Sequence, residues 1–174
     1  MSPIPHNELY EMPKVVFLFG LSGVGKTFCG ELIASRLGYF CYDLDADCTP
    51  AMREAISRGL PFTDAMRDEF FLIVCRRIEE LKKLHRKLIV MQAVYKERHR
   101  ALITSRFPDV RMVWVDAPQH LIEERLRSRA GEASVEYANR IRANFEFPVD
   151  GPRLVNDTSE PEEISGRFLA LFKS

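Results

Sequence analysis

The segment Gly20-Leu21-Ser22-Gly23-Val24-Gly25-Lys26-Thr27 follows directly on the apolar run Val15 to Phe19. A buried strand that breaks into a three-glycine loop and then into a helical pattern restricts the architecture more than any other part of the chain. Glycines at 20, 23 and 25 admit backbone angles closed to other residues, so successive amide N–H groups can converge on one anion. The spacing G-x-x-x-x-G-K-[ST] is that of a cradle for nucleotide phosphates. Gly20, Ser22, Gly23, Val24, Gly25, Lys26, Thr27 and Phe28 are therefore the expected ATP-binding residues. Lys26 can reach the β- and γ-phosphates, the Thr27 hydroxyl is a ligand for Mg²⁺, and the helix that follows points its positive end at the same anion.

The 174 residues suffice for one domain with a real core, expected over 14–174 after a polar, proline-bearing leader at 1–13. Lys plus Arg and Asp plus Glu stand at 25 each, so no overall charge favours nucleic acid or an anionic membrane. No run is apolar enough for a membrane span. Cys29, Cys41, Cys48 and Cys75 are scattered without a C-x-x-C pair, which suits reduced thiols and a cytoplasmic setting.

Strand and helix patterns alternate along the rest of the chain. After the loop helix, ended by Gly38, a strand is expected at 39–44, a short helix from Thr49-Pro50, and a long helix at 63–85. The aliphatic run 87–92 reads as a strand buried on both faces, followed by a basic helix at 95–106, a strand at 110–115 and a helix at 118–129. A short strand at 154–155 and a terminal helix opened by a Ser159/Glu162 capping box complete the pattern. This alternation predicts an α/β fold: a three-layer α/β/α sandwich on a five-stranded parallel sheet, with ligands beyond the carboxyl ends of the strands. The polar, basic stretch at about 130–148 has few core residues and is expected to form a mobile lid.

With these segments placed, the chain resembles the P-loop metabolite kinases of the gluconate kinase and shikimate kinase group, and gluconate kinases above all. Beyond the loop the resemblance rests on Leu44-Asp45-Ala46-Asp47, on Gly59-x-Pro61-x-x-Asp64-x-x-Arg67 and on Glu124-Arg125-Leu126-x-x-Arg129-x-Gly131. It implies an ATP- and Mg²⁺-dependent transfer of the γ-phosphoryl group to a hydroxyl of a small anionic or polyhydroxylated metabolite, a gluconate-like sugar acid first. It further implies Asp45 as a metal ligand beside Thr27, and Asp47 as the carboxylate that orients or deprotonates the acceptor. Arg67 and Lys96 fall to acceptor binding. Arg125 and Arg129, four apart on one helix face, fall to the nucleotide, with Arg129 closing on the transferred group. Lys26, Asp47 and Arg129 are thus the expected catalytic residues.

The acceptor side differs from gluconate kinases: Cys48-Thr49-Pro50 stands in place of Leu-His-Pro, and Gly131-Glu132-Ala133 in place of Gly-His-Phe. The third strand ends in Met91-Gln92-Ala93, without the acidic residue of many P-loop ATPases. A kinase of a nucleotide or of adenylylsulfate, and a nucleotide-binding regulatory protein without phosphotransfer, stay open as alternatives. The expected partner is a small-molecule acceptor, with no nucleic acid and no membrane; the oligomeric state, a homodimer included, is open.

Overall fold

The computed structural model describes residues 11–130 and 132–173. Five parallel strands, β1 (Val15–Phe19), β2 (Phe40–Asp43), β3 (Leu88–Gln92), β4 (Val110–Asp116) and β5 (Arg153–Val155), form one sheet in the order β2-β3-β1-β4-β5. Every residue of β1 and β3 is buried, as central parallel strands covered on both faces must be. Phe19 pairs with Gln92 on one side and Trp114 on the other, so the glycine loop leaves the sheet between the ends of β3 and β4. Asp43 lies opposite Met91 at the end of β2, which brings the acidic turn beside that loop.

The helices are α1 (Lys26–Leu37), α2 (Pro50–Ser57), α3 (Asp64–Leu84), α4 (Glu97–Arg106), α5 (Gln119–Ala130), α6 (Glu132–Arg142) and α7 (Pro161–Ala170). Helix α1 packs with α7, and α3 with α4, giving the expected α/β/α layering. Gly30 lets α1 press on β3: a Cβ there would sit 2.3 Å from Met91 Sδ. Helix α1 ends at Gly38, whose φ of 71° is left-handed and whose N–H donates to the Ala34 carbonyl. Thr49 and Thr63 cap α2 and α3, their hydroxyls accepting from the N–H groups of Met52 and Met66.

The stretch expected to form a lid carries α6, packed on α5, and it buries Val135 and Phe145. Gly131 lies outside the described residues, as do residues 1–10 of the leader. The capping box does not form, because Pro161 starts α7 after Glu160 and the Glu162 carboxylate accepts from Arg36 instead. His99, in α4, is buried and stacked on Phe71.

Candidate active site

A cleft of about 500 Å³ opens beyond the carboxyl ends of β1, β2 and β3. Its floor is the glycine loop, where Gly23 and Gly25 hold φ of 87° and 90°, angles that a side chain would strain. The loop is also wedged from outside: a Cβ on Gly25 would fall 2.2 Å from Asn156 Nδ2, and one on Gly23 2.9 Å from Leu126 Cγ. Asn156, buried just after β5, donates from Nδ2 to the Val24 carbonyl at 2.8 Å. Arg125 donates to the same carbonyl and to that of Asn156, so α5, β5 and the loop are tied together.

Lys26 folds back over this loop and donates to the carbonyls of Gly20 and Leu21 at 3.1 and 2.9 Å. Burial lowers its pKa to about 8, against the opposing pull of the Asp45 and Asp43 carboxylates; the Arg129 charge adds to the lowering. Arg129 lines the cleft from the end of α5.

Beside Lys26 the chain turns from β2 into a short 3-10 segment, Leu44–Asp47. Asp43 caps that segment, its Oδ1 accepting from Asp45 N–H at 3.0 Å and its Oδ2 from the Thr27 hydroxyl at 3.3 Å. Asp45 Oδ1 accepts from Gln92 Nε2 at 2.9 Å, while Gln92 Oε1 accepts from Ala93 N–H. Both ends of the Gln92 amide are engaged, and Asp45 keeps its second oxygen for the cleft.

The far wall comes from α2, α3, the chain after β3, and α6. Arg67, buried at the first turn of α3, donates from Nη1 to the Phe62 carbonyl at 2.6 Å and lies over the Tyr95 ring. Helix α6 reaches across to the loop before α3: Tyr137 donates to the Leu60 carbonyl and Arg140 to that of Gly59.

Of the residues expected from sequence, Ser22, Gly23, Gly25, Lys26, Thr27, Phe28, Asp45, Arg67, Arg125 and Arg129 meet in this one cleft, while Gly20 and Val24 belong to the loop without lining it. Two others also stay outside. Asp47, expected to act on the acceptor, points away; its carboxylate accepts from Arg77 Nε and Nη2 of α3 at 2.8–3.2 Å. The turn after β2 winds about three residues per turn, so residues two apart leave the strand's common face. Lys96, expected to bind the acceptor, sits at the start of α4 with its ammonium on Glu146. Asp43 takes the place beside Thr27 that the sequence reading gave to Asp45 alone. Gln92, noted in the sequence only as standing where many P-loop ATPases carry an acid, and Asn156 were not expected in the site; their only signal was a polar residue just inside or just after a buried strand.

A family model described as an AAA domain, AAA_33, matches residues 15–148, from β1 to beyond α6. The chain belongs to this family of P-loop kinases. The kinase is 28% identical over 165 residues to a gluconokinase of Gluconobacter oxydans (strain 621H), covering 93% of each chain. It is 34% identical over 133 residues to an adenylyl-sulfate kinase of Deinococcus deserti, covering 68% of this chain and 69% of that one. Its fold matches an unliganded sugar kinase from Janibacter sp. HTCC2649 with a TM-score of 0.76, at 24% identity over 92% of this chain and 94% of that one. The kinase acts on a small metabolite, with an alcohol group as acceptor. No helix among the described residues is long and apolar enough to cross a membrane.

Proposed function

We propose that this kinase transfers the γ-phosphoryl group of ATP to a hydroxyl of a small anionic metabolite held between Asp45 and Arg67. The observation that carries this reading is the convergence of a phosphate cradle, a spare carboxylate and two arginines, Arg129 and Arg67, in one cleft. Amide N–H groups of the loop and the Lys26 ammonium hold the triphosphate. Arg129 closes on the equatorial oxygens, whose charge is most exposed in a loose, metaphosphate-like transition state. Asp45 accepts the proton of the acceptor hydroxyl as its oxygen bonds to phosphorus, the bond to the bridging oxygen breaks, and ADP leaves.

Among the described residues no cluster of three or more His, Cys, Asp or Glu side chains could hold a metal by itself. That suits Mg²⁺, which keeps its waters and binds through one or two protein oxygens plus phosphates. The Thr27 hydroxyl and Asp43, hydrogen-bonded to each other, are oxygen ligands of the right hardness, with Asp45 next to them. When bound, the ion would neutralise charge between the β- and γ-phosphates.

The names of the relatives suggest a gluconate-like sugar acid as the first acceptor to offer and adenylyl sulfate as the second. The test is ADP release from Mg-ATP over a panel of sugar acids, polyols, nucleotides and adenylyl sulfate. Acceptor-dependent release that disappears in Lys26→Ala is the expected result. ATP binding with no acceptor-dependent release from any of them would favour a regulatory nucleotide-binding protein instead.

A further inference from the structure

The acceptor end of the cleft combines apolar and polar side chains. Met52, Ile56, Phe62, Tyr95, Tyr137 and Ile141 line it beside Cys48, Arg53, Arg67 and Gln92. The polar groups among them are already partly committed. The Tyr137 hydroxyl donates to Leu60, Arg53 Nη2 to the Ala46 carbonyl, and Arg67 Nη1 to Phe62, with the Asp64 carboxylate 3.7 Å from the same nitrogen. Gln92 spends its whole amide on Asp45 and Ala93. What is left among the described residues is one oxygen of Asp45, the other guanidinium nitrogens of Arg67 and Arg53, and the Tyr95 hydroxyl.

That inventory matches one reacting hydroxyl and one anionic group. An open-chain sugar acid would bring several further hydroxyls against methyl, thioether and ring surfaces. Each hydroxyl removed from water without a partner costs about 1–3 kcal/mol. Three aromatic rings and a methionine favour a flat body, which stacks on them without asking for hydrogen bonds.

We propose that the acceptor is a flat-bodied anionic alcohol, a ring-bearing carboxylate or phosphate or sulfate ester with few hydroxyls, and not an open-chain polyol acid. The proposal rests on the kinase reading of the same cleft and narrows it. The anion faces Arg67 and Arg53, the ring lies among Phe62, Tyr95 and Tyr137, and the hydroxyl meets Asp45.

The experiment compares kcat/KM for D-gluconate, 4-(hydroxymethyl)benzoate and adenylyl sulfate, by ADP release with saturating Mg-ATP. At least one flat-bodied probe is expected to exceed gluconate by about tenfold or more, the scale on which a pocket discriminates by fit. The two ring probes tell an aromatic acid from a nucleotide. Preference for gluconate overturns the proposal and leaves the kinase reading standing. No release with any probe, while calorimetry shows Mg-ATP bound, overturns both. Ile56→Asn supplies the second readout. It changes an exposed side chain, so the fold should hold, and it should lower the ratio of kcat/KM for the flat probe over gluconate by about tenfold. An unchanged ratio counts against the proposal.

Discussion

The two ends of the cleft are built differently. The donor end is backbone: a strand end, glycine φ angles and amide groups, continuous in sequence from Gly20 to Thr27 and wedged by Asn156 and Leu126. The acceptor end is side chains from four separate elements, with Ile56 half-exposed and Arg67 buried. A continuous backbone device tolerates almost no added atom. An assembled wall tolerates exchange, which is how one cradle can serve many acceptors.

The sharpest way to break this contrast is to add a small apolar group to each end, one methyl at the donor end and two at the acceptor end. Gly25→Ala places a Cβ 2.2 Å from Asn156 Nδ2 at a φ of 90°. Nucleotide affinity should fall by at least about 100-fold, since 1–2 kcal/mol of backbone strain adds to the clash and to a displaced cradle. Ala93→Val, at the rim of the acceptor wall, should change kcat/KM only severalfold, about 1 kcal/mol. Calorimetric titration with an ATP analogue and steady-state rates measure the two effects. Similar losses at both ends would remove the distinction.

A second comparison sets Asp45 against Asp47. Asp45→Asn should lower kcat by about 100-fold or more with little change in ATP affinity, because the acceptor proton loses its destination. Asp47→Asn should act mainly on stability. Asp47 is buried and Arg77 partly exposed, and asparagine keeps one acceptor for the guanidinium, so loosening their pair should cost on the order of 1–3 kcal/mol, a drop of several degrees in Tm. If Asp47→Asn abolishes turnover with Tm unchanged, the turn after β2 must present Asp47 to the acceptor after all.

A third effect is smaller and carries a sign. Burial holds the Lys26 pKa at about 8, and phosphate oxygens beside the ammonium will raise it on binding. A group whose pKa rises on binding favours the complex fully below its free-state pKa and loses that contribution as pH climbs through the bound-state value. ATP affinity should therefore be flat below about pH 8 and decline above it by up to about tenfold per pH unit, with proton uptake on binding. Calorimetry at pH 8.5 in buffers of different ionisation heat reads the uptake directly. Proton release there would refute the assignment.

The contrast also explains what the sequence could disclose. Residues whose role is fixed by local backbone were legible: the glycines of the loop, Lys26 and Thr27, Gly38 at the end of α1, and the alternation that sets a parallel sheet. Residues whose role depends on what tertiary structure brings alongside were not. Nothing local shows that Arg77, thirty positions on, would take the Asp47 carboxylate, or that the turn would wind as a 3-10 segment and face Asp43 and Asp45 inward. In the basic stretch after α5 the sequence shows few core residues, and the helix that forms there buries Val135, with Phe145 buried in the chain beyond it.

Gln92 tests the join between the two ends. It closes β3, hydrogen-bonded at 2.9 Å to Asp45 Oδ1 and at 2.7 Å to the N–H of Ala93. Many P-loop ATPases carry an acidic residue there, and a carboxylate in this position would repel Asp45. The neutral amide instead donates, fixing one oxygen of Asp45 and leaving the other to the acceptor. Gln92→Met keeps the volume and removes the donor. The loop does not touch this hydrogen bond, so KM for ATP should stay unchanged. Asp45 would gain rotational freedom, and kcat should fall by about tenfold, the cost of a loosely held reacting group. Gln92→Glu should be worse than Gln92→Met, because like charge beside Asp45 disfavours the ionised form that accepts the proton. Turnover at pH 7 ranks the three proteins, and a Gln92→Glu enzyme more active than Gln92→Met would mean that the third strand supplies a carboxylate to the metal after all.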